Sequence, residues 1–257
     1  MSAAITARQR NAGAVVITNS NEQSGLYKAR AIGNYPGLPG ISGPELLDRL
    51  STHATQAGAE MVVGRVYNIL QTGGAFYVGY GTEVLTSASV IIATGITQTS
   101  LFQGEEEFLG RGVSYCATCD GMLFRGKRVC VVCLSPEAED EASYLESIGC
   151  GVVRLTTRDI RINGDKGVTS VTADGGDIAC DGVFILRHAV APFLMLANLE
   201  MSDGHIRTGR SGETNVPGVF AAGDCAGAPH QIAKAVGQGQ IAALAADEYI
   251  KELGVRS

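Results

Sequence analysis

The sequence predicts a two-domain α/β fold, with one domain assembled from both ends of the chain and the other inserted between them. Three observations predict it. Short apolar runs rich in Val and Ile, at residues 14–18, 89–95 and 129–133, have the length and the small flanking residues of buried parallel strands. Many of the thirty-four glycines sit beside such runs, where strands turn into tight loops. A strand-turn-helix pattern starts afresh at Lys127, and further strand and helix signals follow from about residue 211. With 257 residues and 45% hydrophobic content, the chain is long enough for two cores.

Taken in order, residues 1–9 have helical propensity and lead into the strand at 14–18. Residues 32–37, Ile-Gly-Asn-Tyr-Pro-Gly, read as a loop. Ser42 is placed to cap a helix with Pro44 in its first turn and Leu46, Leu47 and Leu50 on one face, running to about Ala57. Strands at 60–70, 75–80 and 83–85, separated by Gly-Gly and Gly-Thr, form a small meander. Residues 104–108, Gly-Glu-Glu-Glu-Phe, are expected to be a solvated charge run, and Leu186-Arg187-His188 a polar loop. Asp203-Gly204 marks a turn between return strands, and a last helix starts near Pro229 and continues through Ala246.

A net charge of -6 with scattered basic residues favours neither nucleic acid nor an anionic membrane as partner. No apolar stretch approaches the ~20 residues that span a bilayer. Seven cysteines, an odd number without a secretory signal, fit a reducing cytoplasm in which one pair is catalytic.

That pair is Cys116-Ala117-Thr118-Cys119, followed by Asp120. Two thiols spaced this closely can close a small disulfide ring, one thiolate being stabilised while the other leaves. Asp120 is placed to give or take the proton that each opening and closing requires. A zinc site is the competing reading, and it would need Cys130 and Cys133 as its second half. Those two lie in an apolar run that reads as a buried strand, where side chains three apart point to opposite faces. Cys150, Cys180 and Cys225 read as small core residues.

The segment 110–121, Gly-Arg-Gly-Val-Ser-Tyr-Cys-Ala-Thr-Cys-Asp-Gly, resembles the active-site segment of the low-molecular-weight thioredoxin reductases. Residues 215–225, Asn-Val-Pro-Gly-Val-Phe-Ala-Ala-Gly-Asp-Cys, resemble the same family's C-terminal flavin signature, and Asn34-Tyr35-Pro36-Gly37 and Ala93-Thr94-Gly95 stand in the family's order. The resemblance implies a two-domain FAD/NAD(P)-binding Rossmann-like architecture. An FAD domain would comprise residues 1–111 and 211–257, and a degenerate nucleotide-type domain carrying the C-x-x-C residues 112–210. It implies FAD as cofactor, held by Thr18, Asn19, Asn34, Ala93, Thr94, Gly95, Gly223, Asp224, Gln231 and Ile232. It further implies a homodimer, a thioredoxin-like protein disulfide as substrate, and roles for the thiols in which Cys119 lies nearer the flavin and Cys116 attacks the partner. His230, at the mouth of the last helix, would lie near the flavin.

The resemblance fails at two places. The first strand and its Gly-x-Gly-x-x-Gly loop, which bring a pyrophosphate to a helix N-terminus, are missing, because Met1-Ser2-Ala3-Ala4-Ile5 resembles the family segment immediately C-terminal to those glycines. Loss of a central strand would expose apolar faces and unpaired backbone, so a late start of the reading frame is expected, and FAD is expected to bind well only with that segment restored. In the second nucleotide-type unit, Cys133 and Ser135 stand at glycine positions, Glu137 adds negative charge, and only Thr156-Thr157-Arg158-Asp159 remains where a cationic cluster would hold NADPH. This pattern is similar to the ferredoxin-dependent flavin thioredoxin reductases. Two alternatives stay open: an ordinary NADPH-dependent thioredoxin reductase, and a flavin-free remnant acting as scaffold or thiol sensor.

Overall fold

The computed structural model describes residues 1–20, 24–96, 101–135, 138–157, 159–187 and 191–254. Glu137, Arg158 and His188 lie outside the described residues. The chain divides into two units, one of Met1–Tyr80, Val84–Thr97 and Ala191–Ser257, the other of Gly81–Glu83 and Gln98–Val190.

The first unit opens with α1 (Ser2–Gln9) and β1 (Val15–Thr18), then α2 (Gly43–Gln56) and β2 (Glu60–Val63), which pairs in parallel with β1. Ser42 caps α2 as expected, its hydroxyl accepting the Glu45 N–H at 3.3 Å; such a cap contributes about 1 kcal/mol. The antiparallel meander follows as β3 (Val66–Thr72), β4 (Ala75–Tyr80) and β5 (Glu83–Ser87), and then comes β6 (Val90–Ile92). Residues 60–70, expected as one strand, are two. The chain must leave its parallel partner β1 and reverse into the meander, and it does so at Gly64 and Arg65.

The second unit contains β7 (Val113–Ser114), α3 (Ala117–Asp120), β8 (Arg128–Leu134), α4 (Ala138–Ser147) and β9 (Gly151–Leu155). A three-stranded meander, β10 (Ile160–Gly164), β11 (Val168–Ala173) and β12 (Gly176–Ala179), leads to β13 (Gly182–Arg187). The main sheet is parallel, in the order β7-β13-β8-β9. Its middle strands are apolar and buried because both faces are covered; Val129, Val131, Phe184 and Leu186 pack with Ala138, Ala142 and Leu145 of α4. Strand order changes direction between β8 and β13, and in α/β sheets it is beyond the C-terminal ends of such strands that ligands bind.

The chain returns to the first unit through α5 (Pro192–Met195), the hairpin β14 (Met201–Ser202) and β15 (His205–Ile206), β16 (Val219–Ala221) and α6 (Ile232–Glu252). Asp203 and Gly204, with φ of 50° and 77°, form the expected turn. β16 pairs in parallel with β6. α6 runs beyond Ala246 because its last turns are anchored: buried Asp247 accepts from Lys251 at 2.7 Å and from Arg10 at 2.8 Å.

One expectation fails informatively. Glu105, placed in a solvated run, has no exposed surface, while its neighbours Glu106 and Glu107 are exposed. Its carboxylate is paired in two-pronged fashion with Arg187, Nη2 to Oε2 at 2.8 Å, and accepts from Tyr115 Oη at 3.0 Å and Phe102 N at 2.9 Å. Arg187, expected in a polar loop, ends β13 with 13% of its side chain exposed and its guanidinium 5.1 Å from the Phe102 ring centre. Removing one member of a buried pair strands the other charge. Glu105→Ala should therefore lower unfolding free energy by about 3–5 kcal/mol, and Glu105→Leu combined with Arg187→Met should recover much of the loss, read from urea midpoints.

Candidate active site

Cys116 and Cys119 are joined as a disulfide, with Cα atoms 5.4 Å apart. β7 delivers the pair and α3 holds it. Gly112, with φ of 120°, allows the close approach just before β7, since an added Cβ there would lie 2.7 Å from Val168 Cβ. Gly121 lets the segment after Asp120 pack on α4, where a Cβ would meet Leu145 at 2.8 Å.

Cys116 is the N-cap of α3. Its sulfur accepts the Cys119 N–H at 3.2 Å and lies 3.3 Å from Thr118 Oγ1, contacts that favour a thiolate at this position when the ring is open. Cys116 is 4% exposed, whereas Cys119 is exposed. Asp120 Oδ2 accepts from Ser114 Oγ at 2.7 Å, and Ser114 Oγ accepts the Cys116 N–H at 3.1 Å. The structure thus brings Asp120 and the backbone of Cys116 together through a serine that sequence reasoning passed over, although a Ser two residues before a turn-forming Cys is a known local pattern. Glu141 of α4 also went unnoticed; its carboxylate accepts the Ala117 N–H at 3.2 Å.

The remaining thiols are suited to packing. Burial pushes those of Cys133, Cys150 and Cys225 up; Cys130 and Cys180 are hydrogen-bonded to each other, which lowers the Cys130 thiol and, together with burial, raises that of Cys180. Among the described residues, no cluster of three His, Cys, Asp or Glu side chains could hold a metal ion.

In the first unit the predicted cofactor residues fall into three groups. Thr18 and Asn19, at the C-terminal end of β1, line a cleft of about 540 Å³ with Ser51, Thr55 and Val62 of α2 and β2. Ala93, Thr94 and Gly95 follow β6, while Gly223 and Asp224 follow its parallel neighbour β16; the Cys225 thiol between them donates to Ile92 O at 3.3 Å. Asn34 Nδ2 donates to Gln231 Oε1 at 2.7 Å, and Ile232 packs against Ile32, Ile41 and Leu46. Gly223 has a φ of 83°, which suits glycine at this turn. α6 begins at Ile232 with no side-chain cap and no acidic residue in its first turn, leaving a positive helix end open to an anionic group.

Comparison with known proteins is consistent with this geometry. The family model for pyridine nucleotide-disulphide oxidoreductases matches residues 151–239. A thioredoxin reductase from Listeria innocua is 32% identical over 290 aligned positions, covering 98% of this chain and 91% of that protein. The chain belongs to the thioredoxin reductase family. The structure of a ferredoxin-flavin thioredoxin reductase from Clostridium acetobutylicum, 36% identical, covers 98% of this chain and 94% of its own with a TM-score of 0.83. A thioredoxin reductase from Gloeobacter violaceus, 28% identical, covers 100% and 91% with a TM-score of 0.75. The α/β architecture of the two FAD/NAD(P)-type units is that of this family, and the protein is a flavoprotein disulfide reductase with FAD as cofactor. The cleft at β1, the paired strand ends at β6 and β16 and the open end of α6 fit that cofactor. No helix among the described residues is long and apolar enough to cross a membrane.

Tyr115, next to Cys116, reports on the buried pair. Burial pushes its phenol up from the ordinary tyrosine value, and the charge and hydrogen bond of Glu105 push it further. The folded chain then keeps this proton when the unfolded chain releases it, so the stability it gives is complete below about pH 10 and lost as pH rises above that. Unfolding free energy measured from about pH 8 to about pH 11 should fall more steeply for the native chain than for Tyr115→Phe.

Proposed function

We propose that the Cys116–Cys119 pair delivers electrons to a disulfide of thioredoxin or a similar protein, and that the electron source is ferredoxin or a similar low-potential protein carrier, not NADPH. The donor assignment rests on the residues at the C-terminal ends of β8 and β13 and in the first turn of α4. A dinucleotide held there would need bare backbone and a free helix N-terminus. This chain has Cys133 at the end of β8 and Ser135 just after it, and the first turn of α4 carries Glu139, Asp140 and Glu141. Those carboxylates place negative charge at the positive end of the helix; Glu141 accepts the Ala117 N–H at 3.2 Å, and Arg154 of β9 is tied to Glu139 at 2.9 Å and to Glu146 at 2.6 Å. At the end of β13, Arg187 is committed to Glu105. An anionic pyrophosphate would meet repulsion where it needs donors. Arg125, Lys127 and Arg128 are exposed in one turn and suit an acidic protein carrier. The likeness to the ferredoxin-flavin thioredoxin reductase of Clostridium acetobutylicum supports the same reading. A homodimer in the cytoplasm is part of this proposal.

FAD, when bound, supplies the two-electron exchange that reopens the Cys116–Cys119 ring. The residues that would hold it are those grouped at β1, at β6 with β16, and at Asn34 with Gln231 and Ile232. In the open ring, the Cys116 thiolate attacks a sulfur of the partner's disulfide, forming a mixed disulfide and releasing one partner thiolate, which takes up a proton. The Cys119 thiolate then attacks Cys116 Sγ, which closes the ring and releases the second partner thiolate, also protonated. Two electrons and two protons pass to the partner. Asp120, held by Ser114, gives and takes the proton at this site. Because Cys116 is buried, partner docking has to uncover it.

Cys119→Ser should accumulate a mixed disulfide with thioredoxin on non-reducing gels, and Cys116→Ser should trap little; the opposite pattern reverses the two roles. For the donor, the flavin absorbance is followed anaerobically with excess NADPH and with reduced ferredoxin. Bleaching by ferredoxin and none by NADPH is expected, and rapid stoichiometric bleaching by NADPH overturns the assignment.

A further inference from the structure

We infer that Glu141, in the first turn of α4, is a positioning residue of the Cys116–Cys119 pair: its charge disfavours the Cys116 thiolate and so keeps the opened pair a strong reductant. The inference rests on the reading of that pair as the one that delivers electrons. α3 packs on α4, with Gly121 set against Leu145, and this contact brings the Glu141 carboxylate to the backbone of the ring. Its Oε2 accepts the Ala117 N–H at 3.2 Å. Ala117 N is bonded to the Cys116 carbonyl carbon, so covalent geometry places the carboxylate within about 7 Å of Cys116 Sγ. Exposed charges interact over ~8 Å in physiological salt, and Glu141 is half-buried, where screening is weaker.

Two opposing influences meet at one sulfur. The Cys119 N–H and Thr118 Oγ1 lie 3.2 and 3.3 Å from Cys116 Sγ and favour its thiolate. A pair whose reduced form is strongly stabilised is a poor reductant, because it holds its electrons. Glu141 counters this twice. It occupies the Ala117 N–H, a donor at the same helix start, and it sets a negative charge near the sulfur. Opening the ring takes up two electrons from the flavin and one proton, and leaves a Cys116 thiolate and a Cys119 thiol. The closed disulfide is neutral, so a nearby anion raises the energy of the opened form alone. Of the other groups around the ring, Asp120 is tied to it through Ser114, the Tyr115 phenol is turned to Glu105, and the turn after β4 presents the Gly81 carbonyl, 3.4 Å from Cys119 Sγ.

The test is the anaerobic redox equilibrium of the purified protein with dithiothreitol buffers, read by mass after alkylation of the peptide that carries Cys116 and Cys119. Neither thioredoxin nor an electron carrier is present, so failure here leaves the proposed partner and donor standing, and failure of the trapping or bleaching experiments leaves this measurement intact. Glu141→Gln keeps an oxygen acceptor for Ala117 and loses the charge. It should shift the equilibrium about tenfold toward the opened pair, ~30 mV for a two-electron couple. Glu141→Ala should shift it at least as far. Glu146→Gln, near the other end of α4, should match the native protein. The shift should shrink as pH falls from about 9 to about 5, through the range in which cysteine thiols take up their proton. A native equilibrium in Glu141→Gln, which would leave Glu141 a hydrogen-bonding brace of α3, or a shift of the same size at every pH, overturns the inference.

Discussion

A carboxylate with no access to water has to find its partners inside the protein, and Glu105 finds three. Arg187 balances its charge, Tyr115 and the Phe102 amide fill its remaining lone pairs, and the Phe102 ring covers the guanidinium. These partners come from the start of the second unit, from the residue before the first active-site cysteine and from the last residue of β13. A fully satisfied buried network of this kind tolerates little displacement, because any movement leaves a charge unpaired in a poorly screening interior. The Glu105 network thereby fixes the chain before Cys116, and Gly112 packs closely against Val168 just ahead of it.

The same principle separates the two nucleotide-type units. Each places a helix N-terminus near the C-terminal ends of parallel strands, the arrangement that binds phosphates in α/β proteins. In α6 no side chain caps the start and no acidic residue lies in the first turn. In α4 three consecutive carboxylates occupy the first turn, and one is bridged to Arg154. Similar backbone thus carries opposite electrostatics. One helix end is open to an anion, and the other carries three carboxylates of its own sequence.

At the disulfide, the local structure treats the two sulfurs unequally. Cys116 is covered and receives the helix-start N–H, while Cys119 is open to solvent. A stabilised thiolate and an accessible sulfur in one small ring provide the asymmetry that directional thiol exchange needs. Ser114 ties the general acid–base candidate Asp120 to the backbone of that ring, so the carboxylate is positioned by the same strand that delivers the cysteines.

Much of this was local and therefore legible. The C-x-x-C with its following Asp, the Ser42 cap with Pro44, the buried run at 129–133 and the Asp203-Gly204 turn depend on neighbours within a few residues, and the sequence by itself determined them. The grouping of Asn34 with Gln231 was legible only as order along a family pattern; contact between residues 197 apart is a property of the fold. Glu105 was misread because an acidic triplet carries no mark of which member turns inward, and its partner Arg187 is 82 residues away. The bonds from Ala117 to Glu141 and from Ser114 to Asp120 arise likewise from how a helix and a turn are seated. Chain chemistry and local backbone preference are short-range and written in order. Burial, charge pairing and side-chain spacing depend on distances through space, and only the tertiary structure decided those.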